Sequence, residues 1–195
     1  MKFTDGYWMK KKGVNIYNAA EVYDVEKDSK SVTIYCPPYK IEHRGQTLAG
    51  PLLTIRFSSP HQDILRVQTY HFMGELQTGP LFELNEEPCP LDVSETTDEL
   101  TITSGKLTAK ICKTSFKIEY IYDGRLLTST GNRQLGYVTA PDGNYMREQL
   151  SLSVGECVYG LGERFTPFVK NGQAVDIWNE DGGTASELAY KNIPF

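Results

Sequence analysis

No stretch of this 195-residue chain approaches the roughly 18 apolar residues that a membrane-spanning helix needs. The start, MKFTDGYWMKKKG, carries Lys10, Lys11 and Lys12 with no apolar run beside them, so a secretory leader is not expected. Cysteine is scarce. Cys36, Cys89, Cys112 and Cys157 are far apart and form no Cys-x-x-Cys, which speaks against a zinc site and a disulfide framework. They read as reduced, mostly buried thiols of a cytoplasmic protein. The only histidines are His43, His61 and His71, and no His-x-x-x-His spacing links them, so no metal is expected. No Gly-x-Ser-x-Gly appears, so a serine hydrolase lacks its nucleophile turn. Positive charge is also short, with 20 basic residues against 25 acidic ones and a net charge of −5. A protein that tracks phosphates usually carries the opposite sign, so no nucleic-acid partner is expected.

What the chain does have is alternation. Hydrophobic residues make up 39% of it, enough to bury a core and to exclude disorder over most of its length. In Ser31–Cys36, Val32, Ile34 and Cys36 share one face. Leu107, Ala109 and Ile111 do the same, as do Phe116, Ile118, Tyr120 and Tyr122. β-Branched and aromatic residues fill these runs, as a half-buried pleated surface favours. Further strands are expected over 14–25, 52–58, 64–72, 99–103, 125–130, 134–139, 146–154 and 173–178. His71 shares parity with Leu65, Val67 and Thr69, which predicts a hydrogen-bonded histidine facing the core.

Turn chemistry falls between the runs. Asp123-Gly124 and Asn171-Gly172 are dipeptides suited to type I′ hairpin turns, and Asp142-Gly143 is a weaker third case behind Pro141. Many strands joined by short turns point to an all-β antiparallel sandwich or barrel. Helical signals are few. Thr184-Ala185-Ser186-Glu187 matches a capping box and predicts one helical turn at 185–190. The segment 75–97, rich in Glu, Pro and Thr, reads as an irregular crossing with a short strand at most. The last residues, Asn192-Ile193-Pro194-Phe195, are apolar and extended, which predicts that a strand follows and that this is a piece of a longer protein.

Three local features bear on chemistry. Tyr159-Gly160-Leu161-Gly162-Glu163-Arg164 is too incomplete for a phosphate loop, and its glycines suit a bend or close backbone approach. Glu163 and Arg164 read as a structural charge pair, with a substrate role as the alternative. Glu163, Asp176, Glu180 and Asp181 cluster late in the chain, where solvated carboxylates are the plainer reading. Trp178-Asn179-Glu180-Asp181-Gly182-Gly183 puts an aromatic face, an amide and a carboxylate beside two glycines, a combination that suits sugar hydroxyls and sugar C–H faces.

Four motifs then fall in one order over 38 residues, from Val158 to Phe195. They are Gly-Leu-Gly-Glu-Arg-Phe, Asn-Gly-Gln, Trp-Asn-x-Asp-Gly-Gly-Thr and Tyr-Lys-Asn-Ile-Pro-Phe. This stretch closely resembles the end of the N-terminal β-domain of glycoside hydrolase family 31, in its α-xylosidase branch. Leu65-Arg66-Val67 and His71-Phe72-x-Gly74 resemble an earlier strand of the same domain, which extends the likeness over essentially the whole chain.

The resemblance implies one galactose-mutarotase-like β-sandwich over residues 1–195, truncated before a catalytic (β/α)8 barrel. It implies a retaining enzyme acting on α-xyloside or α-glucoside oligosaccharides, with both catalytic aspartates in the barrel and none in this chain. No cofactor and no metal are implied. The one family role that maps here is substrate contact by a loop aspartate at the active-site rim, which falls on Asp181; Glu180 takes a variable position of that loop. The expected partners are the saccharide, the chain's own barrel and, in self-association, further copies. An α-glucosidase or transglycosylase of the family, and a free-standing carbohydrate-binding sandwich, remain the alternatives.

Overall fold

The alternating runs become strands in the computed structural model, which describes residues 3–6, 9–72, 83–180 and 188–193. In chain order these are β1 (Thr4–Asp5), β2 (Met9–Lys10), β3 (Asn15–Asn18), β4 (Asp24–Lys27), β5 (Ser31–Cys36), β6 (Leu53–Ser58) and β7 (Arg66–Tyr70). They continue with β8 (Asp92–Glu95), β9 (Glu99–Ser104), β10 (Leu107–Cys112), β11 (Lys117–Tyr122), β12 (Arg125–Thr130), β13 (Leu135–Ala140) and β14 (Gly143–Glu148). A 3-10 turn at Arg44–Leu48 is the only helical element among the described residues, none of which forms a helix long and apolar enough to cross a membrane.

Every strand pairing is antiparallel. One sheet runs β4-β5-β6-β7 and a second β12-β11-β10-β9-β8, with β14-β13-β3 and β1-β2 as smaller sheets. The core lies between the first two. Register places Val32 opposite Phe57, Ile34 opposite Ile55 and Cys36 opposite Leu53. In the facing sheet Ile111 sits between Leu100 and Ile118, and Ala109 between Ile102 and Tyr120. All of these except the partly buried Tyr120 are buried in one cluster. Each full burial of a Val, Leu, Ile or Phe side chain contributes about 1.5–3 kcal/mol, so the two apolar faces hold the sandwich closed.

The strand expected over 14–25 divides into β3 and β4, because its middle is needed elsewhere. Ala19–Tyr23 crosses between sheets and bonds to each. Ala19 N–H donates to Leu135 O at 3.0 Å, Ala20 N–H to Pro37 O at 3.0 Å and Val22 N–H to Lys113 O at 2.8 Å, while Phe116 N–H donates to Ala20 O at 2.9 Å. Ala19 and Val22 are buried as they pass. A second tie is ionic. Glu95 on β8 accepts from Lys27 on β4 at 2.6 Å and from Lys113, in the β10–β11 turn, at 2.7 Å.

Asp123-Gly124 forms the expected hairpin turn, with φ 50° and 81° and Tyr122 paired to Arg125. At the third candidate the two-residue loop is Pro141-Asp142, because Ala140 pairs with Gly143, and proline already fixes the backbone for the first turn position. The hairpin at Gly105-Lys106 has positive φ only at Gly105, +57°, which is the type II′ pattern. Asp63 seals it by accepting from Lys106 N–H at 2.5 Å.

Other expectations need correction. The strand over 146–154 begins earlier, at Gly143, and ends at Glu148. Only Cys36 is buried; Cys89 and Cys112 are half-buried and Cys157 is exposed, all four as free thiols. Burial pushes the Cys36 thiol well above its ordinary range. His71 is exposed and stacks on Tyr137 at 4.1 Å between ring centroids, since it lies one residue past the end of β7.

Two stability tests follow from these contacts. Alanine in a left-handed conformation costs about 1 kcal/mol, the loss expected for Gly124→Ala, where a Cβ meets nothing within 4 Å. Gly105→Ala should cost clearly more, about 2–3 kcal/mol, because the Cβ collides with Asp63 Oδ1 and reaches Gln62 Cγ at 2.9 Å; urea midpoints of both variants check the difference. The ion pairs from Lys113 and then Lys27 hold the Glu95 carboxyl below its usual range. Its contribution is therefore complete above the unfolded glutamate value, about 4.3, and is lost as pH falls through the lower folded value. Glu95→Gln should lower the urea midpoint at about pH 7 and leave it nearly unchanged at about pH 2.

Candidate functional site

Beyond Glu148 side chains take over the work of ladders. Residues 151–160 are all exposed, and Ser151 N–H to Ser129 O, 2.9 Å, still follows β12. Two clasps then organise the chain. In the first, the Asn171 amide imitates a strand partner: its Oδ1 accepts from Val158 N–H at 2.7 Å and its Nδ2 donates to Glu156 O at 2.9 Å. Lys170 N–H donates to Val158 O at 2.7 Å. Lys170 itself is buried, with Nζ donating to Pro167 O at 2.7 Å and Thr166 Oγ1 at 3.0 Å. Tyr159 packs on Phe168 with ring centroids 5.1 Å apart. The hydrogen bond with the Cys157 thiol pushes the Tyr159 phenol above its ordinary value.

The second clasp joins three segments. Arg164 Nε donates to Leu161 O at 3.2 Å, and Nη2 donates to Asp176 O at 2.7 Å and to Asn192 Oδ1. Asn192 Nδ2 donates to Trp178 O at 2.5 Å, to Asn179 Oδ1 at 2.8 Å and to Ala189 O at 3.2 Å. Asn192 N–H adds a bond to Asn179 Oδ1 at 3.0 Å. Asn179 and Ala189 form an isolated parallel bridge, and Glu180 N–H donates to Ala189 O at 3.0 Å. Gly162 permits this approach. Its φ is +89°, and a Cβ there would collide with Lys191 O and stand 2.9 Å from Ile193 N.

The result is a cleft of about 370 Å³ lined by Ile177, Trp178, Asn179 and Asn192. Trp178 is 74% exposed. An uncovered indole face beside amides suits a neutral, hydroxyl-rich ligand. Among the described residues no group of three or more His, Cys, Asp or Glu is placed to hold a metal. The larger cavity, about 510 Å³, lies between the N-terminal hairpin and the three-stranded sheet; Lys10, Asn18 and Arg147 line it, and it shares no residue with this cleft.

Asp181 lies outside the described residues, as do Gly182, Gly183 and 184–187 of the expected helical turn. Leu188–Tyr190 is not helical, since Ala189 is held in its bridge. Glu163, Asp176 and Glu180 are exposed. No strand spans 173–178, and the one bridge nearby is at Asn179, just past that range. The turn at Asn171-Gly172 has positive φ only at Gly172, 74°, and Gln173 N–H donates to Lys170 O at 3.0 Å; this is the pattern of a type II turn, not type I′. Arg164 does not serve as Glu163's charge partner in its described bonds, which run to carbonyl oxygens and an amide. Sequence reading placed Asn192 in a family motif but gave it no role, because a hub of amide contacts leaves no periodic or spacing signal.

The sandwich is of the galactose-mutarotase-like class. Residues 54–195 match the model of the glycosyl hydrolase 31 N-terminal galactose mutarotase-like domain, and the chain belongs to that family. It is 39% identical over 198 residues to the alpha-xylosidase XylQ of Lactiplantibacillus pentosus, matching 100% of this chain and 26% of that protein. It is 40% identical over 218 residues to an alpha-xylosidase of Emericella nidulans, matching 100% of this chain and 28% of that protein. The chain thus spans about a quarter of the length of these curated relatives. A similar fold occurs in the cycloalternan-forming enzyme of Listeria monocytogenes, solved with a pentasaccharide substrate. There the TM-score is 0.67 at 20% identity, covering 93% of this chain and 16% of that one.

Gly162→Ala should open the second clasp without touching the core. Tryptic cleavage after Lys191 should then quicken by roughly tenfold, with the main melting transition shifted by no more than about 3 °C. Limited proteolysis followed by mass spectrometry checks the first, and calorimetry the second.

Proposed function

We propose that this chain is the N-terminal β-sandwich domain of a retaining α-xylosidase that removes terminal α-linked xylose from oligosaccharides. The observation that carries the reading is the 39–40% identity to alpha-xylosidases along the whole chain. On this reading the bond-breaking chemistry belongs to a (β/α)8 barrel in the remainder of the polypeptide. A retaining mechanism needs two carboxyl groups about 5–5.5 Å apart, one attacking and one protonating the leaving group. This chain supplies neither. Exposed Phe165, Phe168, Val154 and Ile193 give the barrel an apolar surface to cover, as an interface between domains requires.

The domain's own contribution on this reading comes from the residues that follow Glu180. Its Asp181 carboxylate accepts hydrogen bonds from sugar hydroxyls at the rim of the active site. Such bonds are charge-assisted and stronger than neutral ones. Losing one costs about 1.5–3 kcal/mol, or roughly 10- to 150-fold in kcat/KM when the bond persists in the transition state.

The test is made in the full-length enzyme. Asp181→Asn should lower kcat/KM on p-nitrophenyl α-xyloside by that factor while leaving the melting temperature unchanged. The 195-residue chain alone should hydrolyse neither the α-xyloside nor the α-glucoside. Faster hydrolysis of the α-glucoside by the full-length enzyme would overturn the choice of xylose. Unchanged kinetics in Asp181→Asn would remove the loop's role.

A further inference from the structure

Arg164 and Asn192 share no partner in sequence, yet together they fix the backbone on both sides of Trp178. Arg164 holds the Asp176 carbonyl, and Asn192 holds the Trp178 carbonyl and the Asn179 side chain. The indole between these anchors is nevertheless 74% exposed. A large aromatic group with a fixed backbone and an uncovered face has already lost much of its freedom before any ligand arrives, which lowers the entropic cost of binding. The cleft beside it is lined by Ile177, Trp178, Asn179 and Asn192, none of which carries a charge. Asn179 gives its Oδ1 to Asn192, and its Nδ2 has no partner among the described residues.

A pyranose ring presents an apolar C–H face and a rim of hydroxyls. An indole face matches the first, and an amide donor matches the second. Among the described residues of the lining, a charged ligand finds no counter-charge. We propose that this cleft is a saccharide subsite in which Trp178 stacks on a pyranose ring, Asn179 donates to a hydroxyl, and Arg164 and Asn192 act as positioning residues. The inference rests on the α-xylosidase reading for the identity of the sugar, but not for the existence of the subsite. It assigns a role to Arg164 that a charge pair with Glu163 would not. The competing occupant of the cleft is the remainder of the polypeptide, packed over the indole.

The experiment uses the full-length protein with Trp178→Ala, Trp178→Phe and Asn192→Asp. The measurements are kcat and KM on an α-xylosyl oligosaccharide, the Kd of free xylose and of free glucose by calorimetry, and the melting temperature. Trp178→Ala should raise KM by about tenfold with kcat changed by less than about threefold, in the range of a lost aromatic anchor. Trp178→Phe should recover most of that loss. Asn192→Asp keeps the Arg164 contact but turns donors into acceptors facing carbonyls. It should raise KM by about threefold or more although the indole is still present. If KM and both sugar Kd values stay within about twofold in Trp178→Ala and Asn192→Asp, the subsite is refuted, and a fall in melting temperature alone would assign the indole to domain packing. A wild-type protein that binds sugar at Trp178 without hydrolysing the α-xyloside would overturn the α-xylosidase reading and leave the subsite standing.

Discussion

Val32, Ile34 and Cys36 on one strand meet Phe57, Ile55 and Leu53 on the next in strict register, and this apolar face has no other place to go than against Leu100, Ile102, Ala109, Ile111 and Ile118. A one-residue slip in either sheet would turn the whole set outward. That constraint orders the rest of the molecule. It fixes the separation of the sheets, so Ala19–Tyr23 can bridge between them and Glu95 can reach lysines from both sides. The small three-stranded sheet is carried along through Leu135, which joins the same cluster.

The C-terminal portion is held by different physics. Its backbone groups are satisfied by amide and guanidinium side chains of Asn171, Asn192 and Arg164, with little buried apolar area beneath them. Such contacts are directional and few. They place a segment accurately but open at lower free energy than a core strand. Under the function proposed above, the sandwich carries this edge to a site built mainly by another domain. The exposed apolar residues along the same edge fit that division of labour.

Strict alternation made the sandwich legible from residue types alone: Ser31–Cys36 and Leu107–Cys112 are strands where alternation and β-propensity agree. The run over 14–25 misled because its alternation continues through residues that tertiary contacts recruit as a crossing. Asn171-Gly172 misled because the side chain of Asn171 is occupied with Glu156 and Val158, which no local rule anticipates. His71 misled because parity was extended past the last paired residue of its strand. The family was legible as linked motifs. The connection of Arg164 to Asn192, 28 positions apart, appears only when the chain is folded.

The most direct test of the account is a crystal structure of the full-length polypeptide with xylose bound. It should place the Asp176–Asn179 segment at the bound sugar, with the Trp178 ring against its C–H face, the Asp181 carboxylate within hydrogen-bond distance of a hydroxyl and the two catalytic carboxyl groups contributed by another domain. A sugar bound away from this edge, with Trp178 and Asp181 facing solvent or covered by protein, would contradict it.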